Sequence, residues 1–182
     1  FLTDLEADPR PLEFPLNRQW ANHGANSYYK PVHDAICRRH GLPRSLEDYW
    51  WKASLVSFEQ HRAMFEAVNH RRWELTSGFL EWKFNACWPT IQWQLYDYFL
   101  RPMPSYFAIR KACAPVVVQL NPLDNTVGVV NAYRQALAGL KLSVRVLDTA
   151  GKQRFRRVVR CRAEADACTV VFALPALSAM GD

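Results

Sequence analysis

Apolar residues recur at helical spacing in the first part of the chain and at strand-like spacing in the last part. From Leu46 to about Val68 they form two stripes, which predicts one long helix that is buried on more than one side. Ser45, with Asp48 three residues later, resembles a capping box and predicts where this helix begins. Shorter helices are predicted over Ser27–His40 and about Ser105–Cys113.

After Pro115 the pattern changes to short runs rich in β-branched residues, separated by turn residues. The predicted strands are Val116–Leu120, Thr126–Asn131, Leu140–Leu147, Phe155–Cys161 and Cys168–Leu174. Short strands at such regular spacing are typical of an antiparallel β-sandwich. We therefore expect two domains, residues 1–114 and 115–182, with the boundary near Ala114.

The stretch Thr76–Leu100 concentrates tryptophan and tyrosine. Its first part, Ser77–Phe84, predicts a buried strand that ends before Pro89. Helix, strand, loop and helix in this order fit the last part of a (β/α) barrel, in which active-site residues lie at the carboxyl ends of strands. Trp82 and Asn85 fall at that end, so the aromatic cluster is either core or a platform on which a ligand stacks.

Charge and cysteine content exclude some classes of function. The net charge of +6 permits an acidic partner, but the arginines of 154–162 alternate with apolar residues and lack outward-facing aromatics, so we expect a solvated strand face and no nucleic acid. The five scattered cysteines predict neither a disulfide framework nor a zinc site. No apolar run reaches the roughly 18–20 residues of a membrane span, so no membrane partner is expected.

The beginning of the chain predicts an excerpt of a longer protein. The sequence begins with Phe1 and not with an initiator methionine, and its first residues do not have the pattern of a signal peptide. Glu6 and Glu13 lie among prolines rather than at the end of a strand.

Several runs resemble glycoside hydrolase family 2, in particular its exo-β-D-glucosaminidase, β-mannosidase and endo-β-mannosidase branches. The runs are Gly78–Asn85, Trp88-Pro89 and Trp93–Tyr98, supported by Ser45–Tyr49, His61–Ala67, Tyr106–Ala112, Pro115–Leu120 and Val129–Asn131. The resemblance covers roughly residues 20–152. It implies the terminal part of a (β/α)8 TIM barrel followed by an incomplete immunoglobulin-like β-sandwich.

The resemblance also implies a function. Family 2 enzymes are retaining hydrolases with two glutamates on earlier barrel strands, and no such motif occurs here, so this chain is expected to hold no catalytic residue. It would belong to an enzyme that acts on β-linked glucosamine or mannose, without metal or cofactor. Its partners would be the carbohydrate and the remainder of its own polypeptide, in a secreted or periplasmic setting. The alternative is a non-catalytic glycan-binding or interaction module.

By the same resemblance, four residues are candidates for binding substrate. Trp82 would stack under the sugar ring, and Asn85 would hydrogen-bond to the sugar. Trp88 and Trp93 would line the mouth of the pocket or simply pack.

Two carboxylates of the same stretch are expected to be structural. Glu81 has the opposite strand parity to Trp82 and is predicted to point towards the helix layer. Asp97 is predicted to accept structural hydrogen bonds.

Overall fold

A computed structural model describes residues 29–88 and 94–176. The helices are α1 (Tyr29–His40), α2 (Leu46–His70) and α3 (Pro104–Ala112), and the strands are β1 (Val116–Asn121), β2 (Thr126–Asn131), β3 (Leu137–Leu147), β4 (Gln153–Ala163) and β5 (Ala167–Ala173). The chain divides into two compact units, one with residues up to Met64 and Leu80–Lys111, the other with Phe65–Phe79 and the residues from Ala112 onward. The fold thus combines helices with antiparallel sheets.

The predicted helix ends are confirmed. Gly41 has a φ of 76° and donates its N–H to the Cys37 carbonyl at 3.1 Å, which ends α1. Ser45 Oγ accepts the Asp48 N–H at 3.1 Å, and the Asp48 carboxylate accepts the Arg44 N–H at 2.8 Å. Both bonds satisfy backbone donors that the first turn of α2 leaves without helical partners.

The helices pack through one of the two stripes predicted on α2. Their core consists of Ala35, Ile36, Tyr49, Ala53 and Val56. The prediction that the second stripe is buried is wrong for Trp51 and Leu55, which are 56% and 49% exposed. An apolar stripe is buried only where another element covers it, and none of the described residues covers this face.

The prediction of a strand at Ser77–Phe84 is also wrong. Residues 77–84 form no strand, and Phe79, Leu80 and Phe84 are exposed. A parallel barrel strand exists through hydrogen bonds to neighbouring strands. In the described part of the chain, the pairings that flank this segment are two isolated bridges, Arg72 with Thr76 and Asn85 with Tyr96.

All five predicted strands are present. β1, β2 and β5 form a three-stranded antiparallel sheet with β2 in the centre, and β3 pairs with β4. Their core consists of Val127, Val129, Leu142, Ala163 and Phe172. β3 begins three residues earlier than predicted, with a register shift between Leu137 and Leu140 around Gly139, whose φ is 71°.

The arginines of β4 lie on a solvated face, as expected. Arg156 and Arg160 are exposed, and Arg162 pairs with Glu164 at 2.8 Å. Arg154, half-buried, pairs with Asp148 at 2.8 Å.

Candidate functional site

The segment that carries the predicted sugar-binding residues is held by backbone hydrogen bonds. The Phe84 carbonyl accepts the N–H groups of Leu95 and Tyr96, both at 3.0 Å. The Met103 N–H donates to the Leu95 carbonyl at 2.8 Å, and the Ser105 hydroxyl donates to the Gln94 carbonyl. These bonds join the segment to the residues that lead into α3.

Three of the four predicted sugar-binding residues lie exposed along residues 82–88. The Trp82 side chain is 77% exposed, and the peptide bond that follows it is cis. Asn85 is exposed, and Trp88 is 46% exposed, with Lys83 Nζ 5.8 Å from its ring centroid. Trp93, the fourth, lies outside the described residues. The segment thus presents two indoles and one amide to solvent.

A row of aromatic rings supports this segment. The Phe84 ring lies 4.9 Å from Tyr96, and Tyr96 lies 5.3 Å from Tyr106 on α3. Burial, together with the neighbouring Tyr106 hydroxyl, raises the pKa of Tyr96, so the Tyr96 phenol stays neutral and acts as a packing group at ordinary pH. Rings at these separations contribute contact energy beyond their buried area, which stiffens the base of the segment.

Glu81 contacts helix α2, the direction predicted for it, although the strand from which the prediction was made is absent. Its Oε1 lies 3.6 Å from Nε2 of His61, and only 13% and 6% of the two side chains are exposed. His61 Nδ1 lies 2.7 Å from the Ser57 carbonyl oxygen. Burial raises the pKa of Glu81, and the attraction of His61 acts in the opposite direction. The sequence pattern did not identify His61 as the partner of Glu81. The position of His61, four residues after Ser57 on the buried stripe of α2, is a signal by which it could have been found.

Asp97 has the structural role that the sequence predicts. Its carboxylate accepts the Arg101 backbone N–H at 2.8 Å and Nε at 2.6 Å, while its own N–H donates to the Arg101 carbonyl at 2.9 Å. The side chain is 8% exposed. Asp97 therefore closes the turn that precedes α3.

A cleft in the helical unit lies away from this segment. It encloses about 480 Å³ and is lined by His40, Gly41, Leu42, Pro43, Arg44, Asp48 and Lys52. Lys52 Nζ is bound there by Asp48 at 2.9 Å and by the Leu42 carbonyl at 3.1 Å. None of the predicted sugar-binding residues lines it.

The described residues contain no grouping of three or more histidine, cysteine or acidic side chains that would hold a metal ion. All five cysteines are free. In residues 29–88 and 94–176, no helix combines the length and the apolar character needed to cross a membrane.

The groups of segment 81–88 suit binding rather than bond cleavage. Indole faces stack on flat apolar surfaces, and an amide both donates and accepts hydrogen bonds. The Glu81 carboxylate, next to Trp82 in sequence, is in contact with His61. The Asp97 carboxylate forms an ion pair with Arg101.

Comparisons with known proteins find clear relatives. The chain is 34% identical over 153 residues to an exo-β-D-glucosaminidase of Streptomyces avermitilis, covering 77% of this chain and 17% of the relative. It is 33% identical over 157 residues to a mannosylglycoprotein endo-β-mannosidase of Lilium longiflorum, covering 85% of this chain and 16% of the relative. No protein-family model matches the chain.

A solved structure has the same fold. The crystal structure of an exo-chitosanase from Amycolatopsis orientalis superposes with a TM-score of 0.76 at 25% identity, over 82% of this chain and 18% of that one. The chain therefore spans less than one fifth of the length of the proteins that it matches.

Proposed function

Since this chain belongs to glycoside hydrolase family 2, we propose that it forms part of a longer retaining glycosidase that acts on β-linked glucosamine or mannose. Within that enzyme, residues 1–114 would complete the C-terminal portion of the (β/α)8 barrel, and residues 115–182 would begin an immunoglobulin-like β-sandwich. The order of the helices, which end at Ala112, and of the five strands, which begin at Val116, supports this division, although Phe65–Phe79 group with the strands in the compact units.

The observation that carries the proposal is the exposed segment at Trp82 and Asn85, in the run by which the chain resembles the family. A flat indole can cover the C–H face of a pyranose, and an amide can pair with its hydroxyls. Trp88 and Trp93 would extend the same surface. The segment would supply the floor of the sugar-binding subsite.

The chain contributes binding and exclusion of water, not the cleaving groups. Retaining glycosidases cleave with two carboxyl groups about 5–5.5 Å apart, one acid/base and one nucleophile. Glu81 and Asp97 are both held by cationic or histidine side chains, so neither is free for that task. An indole under the sugar would exclude water and strengthen the electrostatic action of carboxylates supplied from elsewhere in the polypeptide.

The test is kinetic and uses the complete polypeptide that contains this chain. Chitosan oligomers and β-mannosides are supplied as substrates, and Trp82→Ala is compared with Trp51→Ala, which removes another exposed tryptophan of the same unit. Loss of one wall of the subsite should lower kcat/KM by about 10- to 100-fold in Trp82→Ala alone. Circular dichroism checks that both variants fold.

Two results would overturn the proposal. One is wild-type turnover by folded Trp82→Ala. The other is absence of hydrolysis of both substrate classes by the complete polypeptide. If that polypeptide instead retains oligosaccharides without hydrolysing them, and Trp82→Ala abolishes retention, the protein is a glycan-binding module.

A further inference from the structure

The buried contact between His61 and Glu81 ties the candidate sugar-binding segment to helix α2. Glu81 immediately precedes Trp82, and its carboxylate reaches across to the helix, where Nε2 of His61 lies 3.6 Å away. This contact and the backbone hydrogen bonds that the Lys83 and Phe84 carbonyls accept from Leu95 together orient the chain at Trp82.

The ring orientation of His61 is determined by its second nitrogen. Nδ1 lies 2.7 Å from the Ser57 carbonyl oxygen, which can only accept, so Nδ1 carries a hydrogen. In a neutral imidazole, Nε2 then has a lone pair and no hydrogen. This lone pair faces the Glu81 carboxyl group.

The pair consequently requires one proton beyond that on Nδ1. Nε2 of His61 and Oε1 of Glu81 are 3.6 Å apart, an ion-pair distance rather than a hydrogen-bond distance. With one proton on the pair, either a neutral Glu81 faces a neutral His61, or a protonated His61 faces the Glu81 carboxylate. Without that proton, the Nε2 lone pair of His61 faces the Glu81 carboxylate, and the pair carries an unpaired buried negative charge. With two, two donors face each other around a buried positive charge. Only the singly protonated pair makes the contact, because an unpaired buried charge is strongly unfavourable.

The groups around the pair do little to stabilise it when it carries no proton or two protons. Among residues 29–88 and 94–176, buried Oε2 of Glu81 has no hydrogen-bond partner. Burial is the main influence on the pKa of Glu81, and His61 is the titratable group of the described residues that acts on it. No second charge from α2, from α3 or from the described loop residues compensates for the loss or gain of the proton.

We propose that His61 and Glu81 form a singly protonated pair that positions Trp82, and that the pair sets a pH window for sugar binding at this segment. Both are positioning residues, since they act through Trp82 and neither faces the sugar. The catalytic consequence rests on the proposed function, whereas the pairing itself does not.

The first experiment tests the pairing without any activity measurement. The chain is labelled with ¹⁵N-histidine and 5-fluorotryptophan, and Trp82→Phe assigns the Trp82 fluorine resonance. We expect His61 to hold a hydrogen on Nδ1, and the Trp82 resonance to shift as the pH crosses the range in which Glu81 ionises. In His61→Gln/Glu81→Gln, where two amides can hydrogen-bond without titrating, the pH dependence of Trp82 should disappear.

The matched control is Arg39→Gln/Glu59→Gln, which removes an exposed pair at 3.0 Å between α1 and α2. This control should leave the Trp82 titration unchanged. A Trp82 resonance that is independent of pH in the parent chain, or that titrates unchanged in His61→Gln/Glu81→Gln, overturns the proposal.

The second experiment measures kcat/KM against pH in the complete polypeptide. Glu81→Ala should lower kcat/KM about tenfold at the optimum, because Trp82 loses its anchor. His61→Gln/Glu81→Gln should broaden the profile relative to its own maximum, a change that a purely structural role would not produce. An unaltered profile shape overturns the catalytic consequence. If the parent hydrolyses neither substrate class, the proposed function fails, and the resonance experiment still decides the pairing.

Discussion

Gly128 in the central strand β2 lies directly against the thiol of Cys168 in β5. A Cβ atom at position 128 would stand 2.8 Å from Cys168 Sγ, closer than non-bonded heavy atoms approach. The register between β2 and β5 shifts at this point, between Val127 and Gly128. The missing side chain therefore lets the two strands stay paired at this irregularity.

Gly128→Ala should lower the free energy of unfolding by about 1–3 kcal/mol, because overpacking forces the thiol or the strand to shift. Urea denaturation measures the change. Gly78→Ala is the matched control, since a Cβ there meets nothing within 4 Å. Cys168→Ala in the same chain should recover most of the loss. Equal stability of Gly128→Ala and the parent would contradict the prediction.

Removal of the Asp97 carboxylate should open the turn before α3. Asp97→Ala removes the carboxylate that accepts from the Arg101 N–H and Nε, and the lost charge-assisted bonds should cost about 1–3 kcal/mol. Thermal unfolding measures the loss. Glu74→Ala, which breaks an exposed pair with Arg71 at 3.1 Å, should cost under about 1 kcal/mol. The interpretation fails if both variants lose the same stability.

The stability of the chain should fall as pH rises through the range in which Glu81 ionises. Its pKa is raised in the folded state, chiefly by burial, so the folded chain holds a proton that the unfolded chain has already released. The free energy of unfolding therefore decreases as the pH rises from the ordinary pKa of glutamate to the raised pKa of Glu81. Denaturation curves at successive pH values test the sign. Glu81→Gln should remove this contribution, and an unchanged slope would refute it.

A reversal of one charge on the β3–β4 hairpin should stabilise it. Arg145 lies directly opposite Arg156, and Lys141 lies opposite Arg160, on the exposed face. Like charges in this arrangement are unfavourable by a few tenths of a kcal/mol or more. Arg156→Glu should therefore raise the free energy of unfolding by about 0.5 kcal/mol at low salt and by less at 1 M salt. Arg38→Glu, on α1, is the control outside the hairpin. A loss of stability at low salt would contradict the prediction.

Locally determined features of this chain can be predicted from sequence. The Ser45–Asp48 cap involves residues three apart, and Gly41 ends α1 through its own backbone conformation. The strands β1 to β5 follow from short alternating runs between turns. The pairs β1–β2 and β3–β4 join strands that are neighbours in sequence, whereas the β2–β5 pair joins strands with β3 and β4 between them. The family resemblance can likewise be recognised from the sequence, because it depends on the identity of residues rather than on their packing. The comparisons confirm it.

Features that depend on distant neighbours required the tertiary structure. Residues 77–84 have the composition of a barrel strand, but a strand exists only where other strands pair with it, and residues 29–88 and 94–176 supply none. The exposure of Trp51 has the same origin, because burial depends on what covers a helix face. The contact of Glu81 with His61 joins residues far apart in sequence. Amino-acid order determined which elements form here, and long-range packing decided which of their side chains meet.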